Sequence, residues 1–267
     1  MSSEEPKFLE VGEGSARRRI AYLHTAPAKP GAPGLVWLIG LKSDMVSTKA
    51  EALAQWTGAR GVGLTRFDYS GHGRSEGRFE DATIGDWLAE AEAVFTRATA
   101  GPQILVGSST GGHIALLLLR RLMRASPADA ERIRGLVLIA PAWDLTEELM
   151  WNVFPEAARR EIMDKGVWVR PSPYDPQGYA ITRRFIEEGR NHLLARRPFN
   201  PGRPVAILQG LQDVDVPPEH ARALVSFLEG GWANLTEVPD GDHRLSRPED
   251  LALLFSLIEE QLRAMSA

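Results

Sequence analysis

Six short, mostly apolar runs alternate with longer stretches of helical periodicity, and this alternation constrains the fold more than any other feature. The runs are Leu35–Ile39, Val62–Phe67, Ile104–Val106, Leu136–Ile139, Val205–Leu208 and Leu235–Val238, each bounded by Gly, Pro or a charged turn. A strand that is apolar at every position has no face to offer water, so it belongs inside a parallel sheet covered on both sides. Helices are expected between the runs at Lys49–Ala59, Ile84–Ala98, Gly112–Met123 and Pro218–Leu228. The second follows the capping residue Thr83, with Asp86 three positions on. A last helix opens with Ser246-Arg247-Pro248-Glu249 read as a capping box, and places Leu251, Leu254, Ile258 and Leu262 on one face. The stretch Ile114–Leu119 is apolar all round, which marks a central, covered helix. Together these elements predict a doubly wound α/β fold. Phe8–Val11 and Arg19–Leu23, either side of Gly12-Glu13-Gly14, add an antiparallel hairpin at the edge.

The alternation breaks between Ala142 and about Asn200. This stretch holds Trp143, Trp151 and Trp168, prolines at 171, 173 and 176, and helical pieces such as Ile181–Glu188. A linker would not carry so many aromatics, so we read one domain over residues 1–267 with a cap inserted at about 142–200. Basic and acidic residues number 31 and 35, a net charge of −4, which argues against nucleic acid as a partner. Cysteine is absent, which excludes disulfides, thiolate nucleophiles and cysteine metal sites. The start Met1-Ser2-Ser3-Glu4-Glu5 lacks the basic and apolar regions of a secretory signal, and the longest apolar run is far short of the ~20 residues of a membrane span. A cytoplasmic protein is expected.

Gly107-Ser108-Ser109-Thr110-Gly111 matches G-x-S-x-G, with the run Ile104–Val106 leading in and a helix leading out. That is the context of a nucleophile elbow, in which glycines let strand and helix approach around a strained serine. Ser109 rather than Ser108 has the flanking symmetry. A serine alcohol needs a base in reach, and the base needs an orienting carboxylate. Of six histidines, His192, His220 and His243 follow a plausible acid in the order Ser, acid, His. His243 is favoured because Pro239-Asp240-Gly241-Asp242-His243 forms a polar loop after the last strand, at the carboxyl end of the sheet. For the acid, Asp213 stands first in the turn after Val205–Leu208. Asp215 is read as the cap of the helix at Pro217-Pro218, and Asp144 is a rival one strand earlier. The oxyanion requires two backbone N–H donors. Thr110 supplies one, and Gly40-Leu41-Lys42-Ser43 the other, with Leu41 chosen and Lys42 indistinguishable in sequence. His113 reads as a packed residue, and Phe67–Ser75 as a turn bracing the active end. No P-loop lysine and no metal-ligand spacing is present, so neither metal nor organic cofactor is expected.

Gly40–Met45, Asp68–Ser75, Gly107–Gly112, Gly210–Pro217 and Gly241–Ser246 together resemble the α/β-hydrolase superfamily. Within it the chain is similar to the branch of the mitochondrial palmitoyl-protein thioesterase, also described as a mycophenolic acid acyl-glucuronide esterase, and its bacterial relatives. The resemblance implies an α/β-hydrolase fold with a small helical cap, and Ser109 as nucleophile, Asp213 as acid and His243 as base. Thr110 and His113 depart from that branch, where a Met or Leu and a large aromatic are expected, so substrate identity does not carry over.

The expected activity is that of a serine hydrolase on carboxylic esters or acyl thioesters, the substrate being a small molecule or an acylated protein. A serine peptidase with the same residues and a non-catalytic binding protein on the same fold are the alternatives. Met45, Trp143 and Trp151 are the candidates for an apolar substrate pocket, which would favour medium or long acyl chains.

Overall fold

All five residues of Gly34–Leu38 are buried, as are all of Gly63–Phe67 and Gln103–Ser108, because these strands lie in the interior of one eight-stranded sheet. A computed structural model describes residues 5–172 and 176–265. The chain runs β1 (Lys7–Val11), β2 (Arg18–Thr25), β3 (Gly34–Leu38), α1 (Thr48–Gly58), β4 (Gly63–Phe67), α2 (Ile84–Ala98), β5 (Gln103–Ser108), α3 (Thr110–Ala125), α4 (Pro127–Arg132) and β6 (Ile133–Ile139). After β6 come α5 (Glu156–Lys165), β7 (Val167–Arg170), β8 (Tyr179–Thr182), α6 (Arg183–Gly189), β9 (Val205–Gly210), α7 (Pro218–Phe227), β10 (Ala233–Val238) and α8 (Pro248–Ala264). The sheet order is β1-β2-β4-β3-β5-β6-β9-β10. The expected hairpin forms with Val11 opposite Arg18, β2 is antiparallel to β4, and every later pairing is parallel.

All six apolar runs became strands of this sheet. Helix α2 starts where its capping box predicts: the Asp86 amide donates to Thr83 Oγ1 (3.2 Å) and the Thr83 amide to Asp86 Oδ2 (3.1 Å). Helix α8 differs by one residue from the expected cap. Pro248 takes the first helical position, where its missing N–H costs nothing, and Arg247 becomes the N-cap. Asp250 then accepts the Arg247 amide and guanidinium, while Ser246 Oγ donates to the Arg244 carbonyl.

The inserted stretch is not purely helical, as expected, but contains an antiparallel pair, β7 with β8. Val167, Trp168 and Val169 are β-branched or aromatic and alternate in exposure, which suits a half-buried strand better than a helix. Of the proline cluster, Pro171 and Pro176 flank this hairpin's connection, and Pro173 lies outside the described residues. A π-helical turn, Thr146–Trp151, leads into the cap. The cap's two ends are tied together by Asp144, whose carboxylate accepts the amides of Leu194 (2.6 Å) and Ala195 (2.9 Å). Ile162, Ile181, Phe185 and Leu194 of the cap join the same buried cluster as the sheet.

Candidate active site

Ser109 sits between β5 and α3 with φ 54° and ψ −117°, a conformation that side chains with a Cβ rarely adopt. The neighbouring glycines make this turn sterically feasible. A Cβ on Gly111 would lie 2.1 Å from the Leu38 carbonyl oxygen, and one on Gly107 2.5 Å from that of Gly111. Hydrogen bonds hold the turn: the Ser109 amide donates to Ile139 O (2.8 Å), and its carbonyl accepts from Gly112 (2.9 Å) and Ala142 (3.1 Å). Although Ser109 is the N-cap of α3, its hydroxyl makes no capping bond.

Asp213 and His243 lie 30 residues apart in sequence and meet because β9 and β10 are parallel neighbours whose following loops touch. The touch depends on Gly210, where a Cβ would sit 2.3 Å from Gly241 O. His243 Nδ1–H donates to Asp213 Oδ2 at 2.8 Å. The Asp213 side chain is fully buried and its remaining capacity is filled. Oδ1 accepts the amides of Asp215 (2.9 Å) and Val216 (2.8 Å), and Oδ2 also accepts Gln209 Nε2 (3.2 Å). This leaves His243 Nε2 as the acceptor nitrogen. Ser109 and His243 line the same two adjoining pockets but make no hydrogen bond to one another. Such contacts commonly close only when substrate is bound. Asp213, Asp215 and His243 also offer ligand atoms within 4.8 Å of one another. With both Asp213 oxygens occupied and His243 Nδ1 protonated, that set is arranged as a carboxylate–imidazole pair rather than as open metal ligands.

The rival residues are engaged elsewhere. Asp144 anchors the cap ends, and burial raises its pKa against the pull of the Ala195 and Leu194 amides. Asp215 is not the N-cap residue of α7 as expected: that position is Pro217, which has no side-chain cap, and Pro218 takes the first helical position. His192 pairs with Glu188 (2.6 Å), and His220 Nε2 donates to the Trp143 carbonyl (2.8 Å). His113 Nδ1 accepts the Asp144 amide (3.3 Å), and burial, with the nearby His192 and Arg120, pushes its pKa down to about 3.

The loop after β3, from which an oxyanion donor is expected, lies at the serine. A Cβ on Gly40 would come within 3.4 Å of the Ser109 Cβ, so the loop runs directly beside the serine. The choice left open in sequence between Leu41 and Lys42 is narrowed by His72. Its Nε2 accepts the Lys42 amide (3.0 Å), and its Nδ1–H donates to Ser70 O (3.2 Å). Burial pushes the His72 pKa down to about 4, so the ring is neutral and Nε2 stays an acceptor. Lys42 N–H is thereby occupied, while Leu41 N–H has no partner among the described residues. The Thr110 amide, at the first position of α3, has no intrahelical acceptor. Asp68 completes the brace, accepting the amides of Met45 (2.7 Å) and Arg74 (2.8 Å).

The pocket residues expected from sequence lie elsewhere. Met45 is buried with Ala21 and Leu23 in a separate small cluster behind the loop. Trp143 stacks on Phe227 (5.2 Å) and donates to the His220 carbonyl, and Trp151 lies beneath the Arg190 guanidinium. Cap pairing, rather than aromatic content, decides which side chains reach Ser109. On the cap side the cleft is lined by Leu41, Ala142, Leu145, Leu149, Met150 and Val216, with a cavity volume of about 120 Å³. A second pocket of about 450 Å³ opens on the other side of Ser109 and His243, lined by residues at the start of α1 and in the loop before α8. Sequence reasoning missed Leu149, Tyr179 and Lys49. The only signal for Lys49 was its place one turn after the oxyanion loop.

A family model described as serine aminopeptidase, S33 (Hydrolase_4) matches residues 43–232. The chain belongs to this α/β-hydrolase family. It is 32% identical over 237 residues to the mouse palmitoyl-protein thioesterase ABHD10, mitochondrial, covering 88% of this chain and 76% of that one. The human protein of the same name is 31% identical over 239 residues, covering 89% and 76%. Among solved structures, a putative hydrolase from Agrobacterium vitis S4 superposes with a TM-score of 0.93 at 42% identity, covering 97% of this chain and 98% of that one. The mouse α/β-hydrolase domain-containing protein 10 gives 0.84 at 30% identity, covering 98% and 100%. Membership supports hydrolysis of esters or thioesters as the chemistry of the site.

Proposed function

We propose that the chain is a serine hydrolase that cleaves carboxylic esters or acyl thioesters through an acyl-enzyme. The observation that carries this reading is the His243–Asp213 hydrogen bond of 2.8 Å beside a serine held at φ 54° in a shared cleft. In this reading His243 Nε2 takes the Ser109 proton as Oγ attacks the acyl carbonyl. Asp213 holds the imidazole tautomer and stabilises the cation that forms. The amides of Leu41 and Thr110 receive the oxyanion, each worth roughly 10²–10³ in turnover. His243 then protonates the departing alcohol or thiol, and water activated by the same ring releases the acid. The acyl group occupies the cap-side cleft and the leaving group the second pocket. An apolar cavity of about 150 Å³ holds a benzene ring, so the open cleft, of about 120 Å³, takes at least a short acyl segment or a single ring. The thioesterase names of the relatives support the acyl-transfer class without fixing the chain length.

A fluorophosphonate probe, with the labelled peptide located by mass spectrometry, tests the reading. Label on Ser109 that is lost in His243→Ala is expected; label on a different serine overturns it. The family description as serine aminopeptidase favours peptide cleavage as a second reading, and faster turnover of an aminoacyl anilide than of a butyrate ester would select it.

A further inference from the structure

The second pocket carries a charge pattern that ester hydrolysis does not require. Lys42, Lys49 and Arg244 line it and, among the described residues, no carboxylate does, in a chain whose net charge is −4. Lys42 lies over the Phe79 ring, so its charge is partly committed there. Lys49 and Arg244 have no carboxylate within ion-pair distance among the described residues. Lys49 Nζ instead donates to the Arg244 carbonyl and to Ser246 Oγ. Its charge is stranded: burial, then the nearby Arg244, pushes its pKa down to about 8 against the opposing Asp242 and Asp250. Asp250 is already paired with Arg247, and Asp242 Oδ1 accepts the Arg244 and Leu245 amides.

Two donor atoms in the same lining are buried and have no partner among the described residues. Trp37 is 1% exposed, and its indole N–H makes no hydrogen bond; nor does Ser47 Oγ. Ser47 is the N-cap of α1, an 11-residue helix, and makes no capping bond, so the first-turn amides also lack a side-chain acceptor. A leaving pocket for a neutral alcohol would not need an ammonium, an unpartnered indole N–H, an unpartnered hydroxyl and an uncapped helix start along one lining. That set matches a tetrahedral group offering several acceptor oxygens, and it is a poorer match to a flat carboxylate with two.

We propose that this pocket is a subsite for a phosphate group carried by the alcohol or thiol leaving group, bound by Lys49, Trp37 Nε1–H, Ser47 Oγ–H and the start of α1, with Arg244 at its mouth. The proposal rests on the hydrolase reading above. It adds that the preferred esters or thioesters are those of phosphorylated alcohols or thiols. The bond cleaved remains the acyl C–O or C–S bond, and the phosphate leaves intact on the alcohol or thiol.

Three butyrate esters compare the subsite directly: those of 4-hydroxyphenyl phosphate, 4-hydroxybenzoate and the neutral 4-hydroxybenzamide, each rate divided by its hydroxide-catalysed rate. The phosphate ester is expected to lead the neutral one by about tenfold or more in kcat/KM. Lys49→Met should shrink that ratio about tenfold, while Lys49→Arg retains most of it. Arg244→Gln, at an exposed position, should shrink it by roughly threefold, and added salt should erode it. Equal handling of the phosphate and neutral esters, a lead for the benzoate ester, or an unchanged ratio in Lys49→Met overturns the subsite. Binding gives an independent reading in Ser109→Ala: inorganic phosphate should shift the Trp37 indole N–H resonance, and Lys49→Met should abolish the shift. No shift in the Trp37 resonance overturns the subsite. Loss of all turnover and of the fluorophosphonate label would instead sink the hydrolase reading, and the phosphate shift distinguishes the two failures.

Discussion

Two pockets meet at Ser109 and His243, and they differ in their aliphatic content. The cap-side cleft carries the aliphatic side chains Leu145, Leu149 and Met150, in or beside the π-helical turn of the insertion, together with Arg170, Tyr179 and Asp215. The other pocket is formed chiefly by the sheet's own loops and helix starts, and it displays cations and hydroxyls. The materials set different powers of discrimination. An apolar wall distinguishes substrates by ~1–3 kcal/mol per methylene, whereas buried polar groups left unpaired penalise a wrong ligand far more. The side built by the insertion can thus be retuned gradually, and the side built by the body enforces a sharper chemical choice.

The comparison holds only if one catalytic centre serves both pockets. Asp213→Asn tests this with the largest expected effect. It keeps the shape but removes the carboxylate that fixes the His243 tautomer, and should lower kcat by about 10⁴ for every substrate. Initial rates with short and long acyl esters and with all three leaving groups would check it; a loss confined to one substrate class would break the idea of a shared centre. Leu41, in the Gly40–Lys42 loop that His72 pins at the Lys42 amide, lines both pockets. His72→Leu removes the acceptor and should cost about 10² in kcat for all esters, the scale of one oxyanion donor. His72→Gln, which offers an amide oxygen near the same place, should recover part of the loss.

The interior of the fold was readable because its signals are local. Apolar runs such as Leu136–Ile139 admit no face but a covered one, and Thr83 with Asp86 specifies a helix start within four residues. The elbow at Ser109 was readable for a similar reason, since three glycines within a few residues report close backbone contacts directly. The order of the strands was not, because pairing β4 with both β2 and β3 leaves no local trace. Pocket composition was least readable of all. Trp143 and Trp151 look like ligand-binding aromatics in sequence, yet the cap folds them against Phe227 and Arg190. Only the path of the cap decides that Leu149 and Tyr179 reach the cleft instead.

Two buried histidines also make stability depend on pH. His72 and His113 fold as neutral rings, with pKa values pushed down to about 4 and about 3 by burial. Below the ordinary value near 6.5, the unfolded chain binds protons that these folded rings refuse. Stability is therefore full above about pH 6.5 and is lost as pH falls toward 4, by about 1.4 kcal/mol per pH unit for each ring. Asp68, Glu90 and Asp144 act in the opposite sense, because burial raises their pKa values and protonation relieves the cost. The diagnostic quantity is therefore the difference between two proteins. Urea midpoints from pH 4.5 to 6.5 should vary less steeply in His72→Gln than in the parent, by the share of one proton. Parallel curves would show that His72 is not held neutral.

The smallest effect is expected on the apolar side, where the comparison is most easily sharpened. Leu149 lies in the π-helical turn and lines the cleft without touching the oxyanion loop's brace. Leu149→Ala enlarges the cleft by about three methylene-sized groups, and each is worth ~1–3 kcal/mol of transition-state discrimination at most, less where the cap collapses onto the space. A ladder of p-nitrophenyl esters should show the optimum moving to a longer acyl chain, with a gain of about tenfold or less for the longer ester and a modest loss for acetate. The ratio between phosphate-bearing and neutral leaving groups should stay where it was, because no residue of that pocket has changed. If that ratio moves together with the acyl optimum, the two pockets are one mobile cavity gated by the cap, and the division of labour drawn between insertion and body does not hold.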